Sequence, residues 1–222
     1  MFKNHEFSVV SSEYLVESPI LGLRRDTVVM PGGTQASREV VEHFGAVAVA
    51  AVDEEGRVAM VRQYRHSVGQ RLLELPAGLL DIAGEDPLEA AQRELVEEAG
   101  LAAASWTVLT DVMNSPGYCD EACRIFLATG LRSVERPESE DDEEADMSNQ
   151  WVSLAEARAQ ILRSEIMNSI AVAGIFAASE VLAGRGSGRP ADCPFPARPM
   201  RLAQRREAAG IAPDMKRLPS QP

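Results

Sequence analysis

The chain has 222 residues and 24.0 kDa, 45% hydrophobic and 25% charged, which is the composition of a folded globular protein and excludes wholesale disorder and fibrous classes. Its 34 acidic residues against 22 basic ones give a net charge of −12 and pI ≈ 4.8; that balance argues against nucleic acid as a partner and suits a carboxylate-built cation site. Cys119, Cys123 and Cys193 form no CxxC pair, no run reaches the roughly 18 apolar residues of a membrane span, and the first residues lack a signal-like apolar core, so a cytoplasmic protein with no membrane contact is expected.

In chain order, residues 1–42 read as short strands: 14–16, 24–30 and 38–44 carry partial alternation, and Pro31-Gly32-Gly33-Thr34 is a turn. This stretch is too small for a core of its own and needs an outside surface, either the rest of the chain or a second copy. From 43 to 183 the pattern is α/β. The apolar run 46–52 closes at the turn Asp53-Glu54-Glu55-Gly56, and 57–64, 106–109, 124–128 and 150–152 follow as strands. Helices are expected at 86–99, 154–165 and 169–183. Between strands lies 135–146, with eight acidic residues in twelve positions. From 184 the composition shifts: seven of the thirteen prolines fall there, with eight basic residues and three acidic. A disordered tail over 184–222 is expected, with a short helix near 202–209.

The helix at 86–99 is the most informative element. Asp86 can cap it, Pro87 suits its first position, Glu89 completes a capping-box spacing and Gly100 ends it. Leu88, Ala91 and Leu95 supply its buried stripe. Glu94 and Glu98 stand one turn apart on one face with Glu97 beside them, and like charges at that spacing repel. A divalent cation converts the repulsion into binding, because hard ions such as Mg²⁺ take carboxylate oxygens together with substrate phosphates. Arg93 is placed to pair with Glu97 across one turn.

Glu85, Arg93-Glu94-Leu95, Glu97-Glu98 and Gly100-Leu101 resemble the Nudix hydrolase box, Gly-x5-Glu-x7-Arg-Glu-U-x-Glu-Glu-x-Gly-U with U aliphatic. One departure stands out: Gly78 and Glu85 are separated by six residues instead of five. The resemblance implies an α/β/α sandwich around a mixed sheet and cleavage of nucleoside diphosphates linked to another group. Arg38-Glu39, Gln63-Tyr64-Arg65, Glu74-Leu75-Pro76-Ala77-Gly78, Ser115-Pro116-Gly117, the acidic loop before Trp151 and Asn168-Ser169 are similar to ADP-ribose pyrophosphatases of the actinobacterial type.

That resemblance implies a Mg²⁺-dependent (or Mn²⁺-dependent) hydrolase splitting ADP-ribose into AMP and ribose 5-phosphate. Glu94, Glu97, Glu98 and the Ala77 carbonyl would hold the metal, and Arg65 the diphosphate. Arg38 and Glu39 would reach the adenine end, across the interface of a homodimer that exchanges residues 1–42, and Pro116 and Gly117 are further substrate-binding candidates. Glu144, then Glu143, would act as general base or extra ligand. Two other readings are a hydrolase of another nucleoside diphosphate sugar or dinucleotide, and a non-catalytic nucleotide-binding regulator; the retained box glutamates disfavour the second.

Overall fold

The computed structural model describes residues 6–137 and 147–218; Glu143 and Glu144, the expected base candidates, lie outside the described residues. In chain order the elements are β1 (Val9–Glu17), β2 (Leu21–Val29), β3 (Gln35–His43), β4 (Ala46–Ala51), β5 (Arg57–Arg65), β6 (Gln70–Glu74), β7 (Ala77–Leu79), α1 (Pro87–Ala99), β8 (Leu101–Met113), β9 (Ala122–Ser133), β10 (Ser148–Ser153), α2 (Leu154–Leu162), α3 (Ser169–Leu182), β11 (Arg189–Pro190) and α4 (Arg201–Ala208).

Alternation along two central strands decides the layering. β4 and β9 run parallel, from Ala46 opposite Cys123 to Ala51 opposite Ala128, inside a five-stranded sheet ordered β11-β8-β9-β4-β7 whose other pairs are antiparallel. Ala46, Ala48, Ala50, Cys123, Ile125 and Leu127 share one buried cluster with Ala171, Ile175 and Ala178 of α3. Val47, Val49, Ala51, Phe126 and Ala128 share another with Ala90, Ala91 and Leu95 of α1. Helices therefore cover both faces of a mixed sheet, as a two-residue side-chain period requires of a strand buried on both sides. A second sheet, β10-β5-β6, carries Arg65 and Glu74 toward β7.

Residues 9–43 form a separate antiparallel sheet, β1-β2-β3, with no large apolar core. Val9, Val10 and Val16 of β1 remain about half exposed. Part of the outside surface this sheet needs is supplied by α4 of the same chain, next to Gly22.

The expectation of disorder from residue 184 does not describe residues 184–218. β11 pairs with β8, and Arg124, only 1% exposed, donates to the carbonyls of Cys193 (2.6 Å) and Pro194 (2.7 Å) with its guanidinium 4.4 Å from the Phe195 ring. Leu202 and Ala203 of α4 are buried with Phe44 and Met215. The misreading has a physical cause. Prolines lower the cost of an extended path, and a buried arginine satisfies the carbonyls that such a path leaves open. The basic charge complements the acidic body: Arg201 and Arg205 meet the fully buried Glu42, Arg205 and Arg206 meet Glu17, and Lys216 meets Asp81.

Candidate active site

The sequence folds α1 as its caps dictate. Asp86 accepts a hydrogen bond from the Leu88 amide at 2.8 Å, Pro87 opens the helix, and Gly100 closes it at φ 65°, where an L side chain would be strained. With its apolar stripe fixed against the sheet, the helix turns Glu94 and Glu98 toward β7. Glu98 is 6% exposed, and its carboxylate accepts the Ala77 amide at 2.8 Å. Asn149 of β10 donates to the Glu98 carbonyl at 2.8 Å.

Arg93 organises the remaining carboxylates. It donates to both oxygens of Glu85, at 3.0 and 3.1 Å, and a third nitrogen reaches Glu94 at 2.7 Å and Glu97 at 3.0 Å. The sequence spacing anticipated only the Glu97 contact; the firmer grip is on Glu85, across the helix entry. Burial by itself would lower the Arg93 pKa, yet Glu85 and Glu94 hold it above its ordinary value. Glu94 is the perturbed acid. Burial pushes its carboxyl up to about 7, the Arg93 charge opposes the shift, and Glu97 and Asp81 add to it.

Gly78 explains how Glu94 fits. A Cβ on Gly78 would run into the Glu94 carboxyl, so only glycine lets that acid lie flat on the β7 backbone. The donor chemistry, Glu94 and Glu98 beside the β7 backbone and Glu97 joined to Glu94 through Arg93, suits a hard divalent cation. Among the described residues no three acidic or imidazole groups already converge on one point. Glu94 and Glu97 are held by the Arg93 guanidinium and Glu98 by an amide.

The other expected site residues fall into two groups. Arg65, at the end of β5, makes a two-pronged ion pair to the buried Glu74 (3.0 and 2.7 Å), three residues before Ala77. Arg38 and Glu39 of β3 join Pro116 and Gly117 in one open cavity of about 660 Å³, completed by Pro196, Pro199, Met200 and Arg201. Their meeting has a local cause. The loop after β8 turns at Ser115 (φ 53°), and β3 stitches onto it through Val41 N–H to the Tyr118 carbonyl (2.7 Å) and Asp120 N–H to the Val41 carbonyl (3.1 Å). Asp81, Asn149, Arg198 and Lys216 escaped sequence reasoning. They are single polar residues with no spacing signal, brought in from other elements.

The sandwich thus sets a glutamate-rich helix on a glycine-bearing strand, with Glu94 against Gly78 and Glu98 on the Ala77 amide. The NUDIX domain description matches residues 42–170, and the chain belongs to the Nudix family and is a Nudix hydrolase. A nucleoside diphosphate sugar hydrolase N-terminal domain matches residues 8–41. The chain is 54% identical over 202 residues to an ADP-ribose pyrophosphatase of Mycobacterium tuberculosis, covering 91% of this chain and 97% of the relative. It is 38% identical over 142 residues to an ADP-ribose pyrophosphatase of Bacillus subtilis, 64% of this chain and 76% of that one. A crystal structure of an ADP compounds hydrolase superposes with a TM-score of 0.72 at 23% identity, covering 84% of this chain and 99% of that chain, and so shares the fold.

Proposed function

We propose that this Nudix hydrolase splits the diphosphate of ADP-ribose into AMP and ribose 5-phosphate, using Mg²⁺ with Mn²⁺ as a substitute. The observation that carries the substrate is the 54% identity, over nearly its full length, to a protein named an ADP-ribose pyrophosphatase. Glu94, Glu97 and Glu98, with the Ala77 carbonyl, would hold the ion; when bound it supplies positive charge to the diphosphate and acidifies the attacking water. Arg65, braced by Glu74, keeps a flat guanidinium oriented for phosphate oxygens. Arg38, Glu39, Pro116 and Gly117 offer the nucleoside end a cavity with both donors and acceptors. Glu144 or Glu143 is the general base in this reading.

The N-terminal match to a nucleoside diphosphate sugar hydrolase domain favours a second reading, in which a nucleoside diphosphate sugar is the substrate. A homodimer joined through residues 1–42 is part of the proposal, supported by the exposed apolar positions of β1; sedimentation as a monomer at micromolar concentration would remove it. Three free cysteines fit a cytoplasmic location. The test is a substrate panel with and without Mg²⁺, read by phosphate release after phosphatase treatment. ADP-ribose is expected to show the highest kcat/KM, and Glu98→Gln to lose orders of magnitude in turnover while keeping its melting temperature. Preference for another substrate, or full turnover by Glu98→Gln at saturating Mg²⁺, would overturn the assignment.

A further inference from the structure

The loop between β7 and α1 is gripped from both sides by residues beyond the matched Nudix domain. The Ala83 amide donates to the Pro213 carbonyl at 2.8 Å, the Met215 amide donates to the Asp81 carbonyl at 3.0 Å, and Ile82 bridges Asp214. Arg198 reaches the carbonyls of Glu85 (3.3 Å) and Leu80 (3.4 Å). At the centre lies Asp81, a carboxylate only 3% exposed, whose ion pair comes from Lys216 at 2.8 Å. This is also the loop that is one residue longer than the box consensus. A longer loop has more freedom, and the extra contacts remove it.

What the loop positions is the carboxylate face. Its N-terminal end continues β7, where Gly78 lies under Glu94 and Ala77 holds Glu98. Its C-terminal end carries Glu85, the two-pronged partner of Arg93, which in turn grips Glu94 and Glu97. We propose that the C-terminal segment is a working part of the cation site, with Lys216 as a positioning residue that acts through Asp81 on the glutamates of α1. This rests on the metal-dependent reading above. Without Lys216 a buried carboxylate loses its counter-charge, and the loop must move to bring it to water.

The test uses the full chain and Mn²⁺ as the probe, with binding followed by electron paramagnetic resonance and kcat and KM measured alongside. Lys216→Met is expected to raise the Mn²⁺ Kd by about three- to tenfold, below the roughly 10–100-fold cost of removing a direct partner of a metal ligand, with kcat at saturating metal changed less than threefold. Lys216→Arg should bind as the parent does. Lys216→Gln, which keeps a donor for Asp81 and so protects the fold, should move in the same direction by less. The Asp81→Asn/Lys216→Met pair should recover most of the affinity, because neither charge remains unbalanced. Arg217→Ala, at an 86% exposed side chain, should change nothing. Unchanged Mn²⁺ affinity in folded Lys216→Met or Lys216→Gln, or a double variant as weak as the single, overturns the inference while leaving the hydrolase reading intact. A parent chain that binds no Mn²⁺ overturns the metal-dependent reading, and this inference falls with it.

Discussion

Leu202→Ala tests whether the C-terminal segment is integral to the fold. Leu202 is fully buried with Phe44, Ala203 and Met215, a small cluster at the edge of the molecule. Truncating a buried leucine to alanine costs about 2–5 kcal/mol, the spread reflecting how far the site relaxes around the cavity. With few neighbours and an edge position, relaxation is easier than in the main sheet, which places the loss at about 2–3 kcal/mol. For a chain of this size each kcal/mol lowers the melting temperature by about 2–4 °C, so a fall of about 5–10 °C is expected. Scanning calorimetry and urea denaturation should agree, with an unchanged m-value, since the segment would unfold together with the rest. A loss below about 1 kcal/mol, or a separate early transition, would show that the segment opens independently. The reasoning would then be wrong.

Gly78→Ala puts a methyl group where the Glu94 carboxyl lies, so turnover should fall by about 100-fold, the scale of an ångström-level misplacement, with Glu94 displaced from β7 in a crystal structure. Asp111 is held below its ordinary pKa: burial raises it, and Arg124 and Arg189 more than offset this. A depressed carboxylate contributes stability that is complete above its unfolded pKa of about 4 and lost as pH falls through the folded value. Asp111→Asn should therefore flatten the loss of melting temperature below about pH 4 and leave its slope near pH 7 unchanged. Burial raises the Cys123 thiol far above its usual range, so this cysteine should resist a thiol reagent at pH 8 until urea exposes it, as mass spectrometry of labelled peptides would report.

The amino-acid sequence by itself determined the elements whose information is local. Asp86, Pro87 and Gly100 bound α1, and the spacing of Leu88, Ala91 and Leu95 sets which face is buried. With that face fixed, Glu94 and Glu98 stand one turn apart on a shared face, and the family was legible through the resemblance of the spacing from Glu85 to Leu101 to the Nudix box. Tertiary structure decided everything that depends on a partner distant in the chain. Arg38 meets Pro116 only because β3 stitches to the loop after β8, and Glu85 rather than Glu97 takes the two-pronged contact of Arg93 because the loop before α1 bends back over it. The C-terminal segment shows the difference most clearly. Read alone, its prolines and arginines have no apolar periodicity from which to predict a packed element. In the fold, the buried acids Glu42 and Asp81 and the buried Arg124 give those same residues their partners. Burial of a charge is a property of the surroundings, and no window of sequence contains it.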